Sequence, residues 1–239
     1  MASLRSMAPC VGVSGDFSVL KDFFGYRLGQ PRTSTAGIGQ PVSILKQIQL
    51  LQGKHLHLDL IRVGSDQFLP GHEVAIDCAV YLARKTYAAV GLGIGRISHS
   101  VITTAEADGL HQIDEVSQAK KLARKFRGPH DDAMDVFVVL DFNVVIDGED
   151  KVGIAKIDVS DEKDRYHFDG AIMGVRYAGG VSVGGIMQGQ ALAHEVGHAL
   201  GLHHTDTIGN LMFPTGTGTS LSADQGAIMR DHDFVEPGC

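Results

Sequence analysis

His194 and His198 stand four residues apart, and Glu195 follows the first of them directly. On a helix, positions i and i+4 share one face, so the two imidazoles point the same way. Two neutral imidazoles so placed can each give one nitrogen to a tetrahedral zinc ion. Glu195 falls where its carboxylate can face a water on that metal without taking a coordination position itself. The chemistry on offer is hydrolysis, in which the metal acidifies water and the carboxylate carries the proton.

A third protein ligand has to come from outside that helix face. Gly201 supplies the exit, because glycine takes the left-handed conformation that ends a helix at little cost. The chain can then turn back and bring His204 to the metal. His203 is its rival, and only one of the two can reach. Cysteine is not part of the ligand set. The chain holds three, Cys10, Cys78 and Cys239, with no pair at zinc-ligand spacing and no even count for a disulfide framework.

The segment His194-Glu195-Val196-Gly197-His198-Ala199-Leu200-Gly201-Leu202-His203-His204 fits His-Glu-x-x-His-x-x-Gly-x-x-His, and the chain resembles the metzincin superfamily of zinc metallopeptidases. The resemblance implies a tight turn carrying a methionine beneath the metal site, and Asn210-Leu211-Met212-Phe213-Pro214 offers one. Met212 follows His204 by eight residues, and that spacing with the Leu-Met-aromatic-Pro string looks most like the matrixin branch. The residue after the third ligand is Thr205, followed by Asp206, which departs from the matrixin pattern. What the resemblance implies is a zincin-like α/β (α+β) fold: a twisted mixed sheet, a long active-site helix, and a C-terminal helix after the methionine turn. It also implies Zn2+ as cofactor and a protein or peptide substrate lying along an edge strand, for which Ala171–Tyr177 and Val181–Met187 are the candidates. Cys10, in Ala8-Pro9-Cys10-Val11-Gly12, is a loosely similar candidate for a latency thiol that occupies the fourth zinc position.

The elements that must position these residues are legible from residue 54 onward. Leu56, Leu58 and Leu60 alternate with His55, His57 and Asp59, the pattern of a half-buried strand. His55, His57 and Asp59 would share one face, a candidate second metal site. Pro70 and Gly71 break the chain. Glu73 to Val90 carries apolar residues at helical spacing. Ile97 to Thr103 reads as a strand, Ile113 to Phe126 as a basic amphipathic helix, and Met134 to Phe142 as a strongly apolar strand. Val152 to Val159 and Ala171 to Tyr177 are further strands, and Gln188 to Leu200 is the helix of the histidine motif. Ser222 and Gln225 fit a capping box that opens a last helix to about His232. Asp141, Asn143, Asp147, Glu149 and Asp150 are hard oxygen ligands suited to Ca2+, against the simpler reading of an acidic turn at Gly148.

The 239 residues suit one large domain with an extension. Residues 1–50 read as an N-terminal extension or prosegment, and residues 51–239 as the catalytic domain. Apolar residues make up 44% and charged residues 21%, a globular balance with material for one sizeable core. A net charge of −7 speaks against nucleic acid as a partner. No apolar run is long enough for a membrane span, and no signal peptide is visible. The expectation is a soluble chain, cytoplasmic as it stands or secreted if a leader has been removed. Oligomeric state, cleavage preference and biological role are not readable. The leading reading is a zinc endopeptidase with Glu195 as general base. Its alternatives are a processing or toxin protease acting on one partner protein, and a zinc-binding module without catalysis.

Overall fold

Val136-Phe137-Val138-Val139-Leu140 is apolar at every position, which suits a strand covered on both faces rather than one. In the computed structural model this run lies at the centre of a mixed sheet with helices on either side. The structure describes residues 54–128, 131–146, 148–158, 167–177, 181–182, 185–215 and 218–237. The extension read over residues 1–50, and Cys10 within it, lie outside the described residues.

In chain order, β1 (Lys54–Val63) leads through a short 3-10 turn to α1 (Pro70–Ala88), then β2 (Leu92–Ile102), the single-turn α2 (Thr104–Ala107), β3 (Gln112–Ile113) and α3 (Val116–Lys125). Then come β4 (Ala133–Phe142), the hairpin β5 (Val145–Ile146) and β6 (Glu149–Asp150), β7 (Gly153–Asp158), β8 (His167–Tyr177) and β9 (Val181–Ser182). The motif helix α4 (Gly185–Ala199), α5 (Ala223–Arg230) and β10 (Val235–Glu236) complete it. Strands β2, β1, β4 and β8 run parallel in that order, and β7 closes one edge antiparallel to β8.

Alternation sorts the sheet's side chains between two cores. Leu56, Leu58, Leu60, Met134, Val136, Val138 and Met173 pack with α1 and α4, while Ile61, Val63, Phe137, Val139 and Ile172 pack with α3. The half-buried reading of β1 is therefore corrected. His55, His57 and Asp59 are buried too, because loops and helices cover the second face as fully as the first. Pro70 does not break the chain but opens α1 at its first turn, where a missing N–H costs nothing. His72 Nδ1 accepts the Leu69 N–H at 3.2 Å and so caps that end.

The motif helix α4 is held against α1 by a close approach and a buried hydrogen bond. A Cβ on Gly189 would stand 2.6 Å from Leu82 Cδ1, so only glycine lets the two helices meet there. The Tyr87 hydroxyl, wholly buried, donates to the Ala193 carbonyl oxygen at 2.6 Å, one residue before His194.

The two sequence candidates for the edge strand come apart, since only the second reaches an edge. Ala171–Tyr177 lies within β8, which is paired with β4 on one side and with β7 and β9 on the other. Val181–Met187 splits into β9 and the start of α4. Among the described residues, β7 and β9 each pair with β8 alone, and β7 also packs against α4.

Candidate metal centre

Helix α4 carries His194, Glu195 and His198, and ends where the sequence places Gly201. That glycine has φ +93, and the Leu202 N–H reaches back to the Gly197 carbonyl at 3.0 Å while Gly201 N–H bonds His198 O at 3.0 Å. This paired closure reverses the chain by a Schellman motif. It returns His204 to the face of α4 that carries the first two imidazoles. His203 is exposed and stands outside the group.

The three Nε2 atoms lie 3.0 Å (His194–His198), 3.1 Å (His198–His204) and 3.2 Å (His194–His204) apart. A tetrahedral zinc ion with bonds of about 2.0–2.1 Å spaces its nitrogens by about 3.3 Å. The tautomers agree with that fit. His194 Nδ1–H donates to the Leu211 carbonyl at 2.7 Å, and His198 Nδ1–H donates to the Leu202 carbonyl at 2.8 Å. With the protons on Nδ1, the Nε2 lone pairs face one another, a repulsive arrangement that a cation turns into coordination. Burial keeps these rings neutral. It pushes His198 down to about 4, against the help of the Leu202 carbonyl, and lowers His194 and His204 as well.

Glu195 is buried on the same helix, and burial pushes its carboxyl up to about 8, with the Lys151 charge opposing. A Cβ on Gly153, the first residue of β7, would stand 2.9 Å from Glu195 Cγ. Lys151, just upstream, pairs with Glu149 at 2.7 Å, and its charge also depresses His194 and His204. Neither Gly153 nor Lys151 was singled out from the sequence. Nothing local marks them, since it is the crossing of β7 over α4 that makes them neighbours of the site.

Met212 is fully buried beneath α4, and a Cβ on Gly197 would meet its Sδ at 2.9 Å. It sits in a turn closed by Phe213 N–H to Asn210 O at 3.1 Å. The turn's Leu211 carbonyl is the one that orients His194.

The other sequence candidates fare differently. The structure gathers His55 and His57 with Glu236, the cross-strand partner of His55, and not with Asp59. Asp59 turns instead toward Gly128 beside Asp135. A β-bulge sets Gly95 and Arg96 opposite His57, and the freed Arg96 N–H donates to His57 Nδ1 at 2.9 Å. That bond leaves the imidazole proton on Nε2, so neutral His57 offers a donor and no lone pair to a metal. The calcium set is not gathered among the described residues. Asp141 accepts from Arg176 at 2.7 Å, Asn143 donates to Asp114 at 2.8 Å, and Glu149 is taken by Lys151. Gly148, at φ +79, is in a turn conformation just before β6, and Asp147 lies outside the described residues.

Three imidazoles converging from one helix and the reversal behind it, with a buried carboxylate alongside, define a metzincin-type zinc metallopeptidase. Among solved structures the chain is similar to archaemetzincin from Methanopyrus kandleri, at 14% identity over 73% of this chain and 94% of that one, TM-score 0.46. It is also similar to metalloproteinase-II from Bacteroides fragilis, at 15% identity over 77% of this chain and 59% of that one, TM-score 0.43. No curated protein matches. Residues 78–205, more than half of the chain, match the metallo-peptidase family M12B, reprolysin-like, and the chain belongs to that family of zinc metalloendopeptidases.

Proposed function

We propose that this chain hydrolyses internal peptide bonds, with His194, His198 and His204 holding Zn2+ and Glu195 as general base and acid. The observation that carries the reading is the convergence of three Nε2 atoms within 3.2 Å beside that buried carboxylate. Bound there, the zinc supplies a Lewis acid that polarises a peptide carbonyl and makes water acidic near neutral pH. Glu195 takes the proton from the attacking water and gives it to the leaving amine, so no covalent enzyme intermediate is needed. Its place on α4, one residue after His194, suits both halves of that task. Strand β7, which pairs with β8 alone among the described residues, offers its other edge to an extended substrate beside α4, so the peptide adds as a further strand.

The methionine of the buried turn supports the site from below as the Met-turn of the superfamily. The matrixin-like reading rests on the Leu211-Met212-Phe213-Pro214 string and the short spacing from His204, within a chain whose family is reprolysin-like. Residues 51–239 form the catalytic domain in this reading. Residues 1–50 stand outside it, with Cys10 as the thiol that would confer latency; activity unchanged by trimming them ends that part.

A quenched-peptide and casein assay with and without chelator tests the function. General cleavage abolished by chelator supports the endopeptidase. Cleavage confined to one partner protein makes it a processing or toxin enzyme, and zinc uptake with no cleavage of any substrate makes it a binding module.

A further inference from the structure

We infer that Gln225, on α5, is a positioning residue for the zinc ligands, acting through Asn210 and the turn that follows it. The inference rests on the zinc-site reading above and adds to it a part of the chain that carries no ligand.

Asn210 and Gln225 form a reciprocal amide pair. Asn210 Nδ2–H donates to Gln225 Oε1 at 2.8 Å, and Gln225 Nε2–H donates to Asn210 Oδ1 at 3.1 Å. Asn210 is buried, and its Oδ1 also accepts the Met212 N–H at 2.9 Å. The pair therefore anchors the backbone of residues 210–212 through the buried Asn210 side chain. That backbone touches the site twice. The Leu211 carbonyl orients the His194 ring, and the Met212 carbonyl accepts the N–H of Thr205 at 3.0 Å, next to His204. Leu211 N–H is held in turn by Ser220 O at 2.7 Å. A ligand imidazole keeps its aim only as well as the carbonyl behind it keeps its place. If the amide pair is lost, the Leu211 and Met212 carbonyls are free to shift, and two of the three rings lose their alignment together.

Gln225 also caps α5, accepting the Ser222 N–H at 2.9 Å while Ser222 Oγ accepts the Gln225 N–H at 3.1 Å. A merely structural role would run through that cap, and two variants separate the functions. Gln225→Glu keeps the capping box, where glutamate serves as well as glutamine, but replaces the Nε2–H donor by an oxygen facing Asn210 Oδ1. Ser222→Ala weakens the cap and leaves the amide pair intact.

The test measures the zinc dissociation constant of the full chain by competition with a chromophoric chelator, and the visible spectrum of the Co2+-substituted protein. Gln225→Glu is expected to weaken zinc binding by about ten- to a hundredfold and alter the Co2+ bands. Ser222→Ala is expected to lower the melting temperature with zinc affinity and bands unchanged. Wild-type affinity in Gln225→Glu, or an equal loss in Ser222→Ala, overturns the inference while leaving the zinc site standing. A wild-type chain that takes up no zinc overturns both.

Discussion

Gly153 rests directly on Glu195. A Cβ at position 153 would stand 2.9 Å from Glu195 Cγ, 3.3 Å from its Cδ and 3.0 Å from the Ile172 carbonyl oxygen, so the backbone of the edge strand forms one wall of the carboxylate's pocket. The strand proposed to take substrate along its edge is thus the same strand that packs on the proposed general base. A methyl group there has no room unless Glu195 moves or β7 lifts from β8. Gly153→Ala is expected to lower kcat/KM by about ten- to a hundredfold through misplacement of the carboxylate. Zinc content should stay at the wild-type level, because no imidazole is touched. Full activity in a folded Gly153→Ala protein would show that the contact is slack.

Removing the carboxylate itself should be harsher. Glu195→Ala leaves the three imidazoles in place and deletes the group that moves the proton, so hydrolysis should fall by about a hundred- to ten-thousandfold with zinc retained. Peptide-cleavage kinetics alongside elemental analysis of the purified variant check both halves. Substantial residual activity would remove Glu195 from its role.

The neighbouring histidines should separate cleanly. His204 Nε2 stands 3.1 Å from His198 Nε2, while His203 faces solvent. His204→Ala is expected to lose most bound zinc on dialysis, and His203→Ala to keep it. Equal zinc content in the two would contradict the assignment.

Stability should depend on pH through Asp135 on β4, which is not one of the three clustered histidines. Burial raises the Asp135 carboxyl from its usual 3.8 to about 6, the Asp59 carboxylate adds to the rise, and the Gly128 N–H and Arg127 oppose it. Between those two values the folded chain holds a proton that the unfolded chain has released. The contribution of Asp135 is therefore full below about pH 4 and is lost as pH rises through about 6. Asp135→Asn keeps an oxygen for Gly128 and removes the charge. It is expected to raise stability at pH 8 by on the order of 1 kcal/mol, discounted for partial exposure, with little gain at pH 4. Urea denaturation at the two pH values reads the difference, and an equal shift at both would point to packing instead.

The motif itself could be read from the chain because its logic is local. The i, i+4 spacing puts His194 and His198 on one face whatever else the protein does, Gly201 is the residue that can end a helix at positive φ, and the apolar run through β4 demands cover on both sides. The motif spacing already favours His204 over its rival His203, and the reversal at Gly201 and Leu202 is the geometry that brings that ring back to α4. The partners that act across long separations were silent in the sequence. Gly153 meets Glu195 only because β7 crosses α4, Glu236 meets His55 only through a cross-strand pairing, and Gln225 looks like an ordinary cap until Asn210 is packed against it. A linear pattern encodes what neighbours along one helix or strand will share. Which carbonyl, glycine or amide closes the other side of the site is settled by how the layers stack, and no spacing records that.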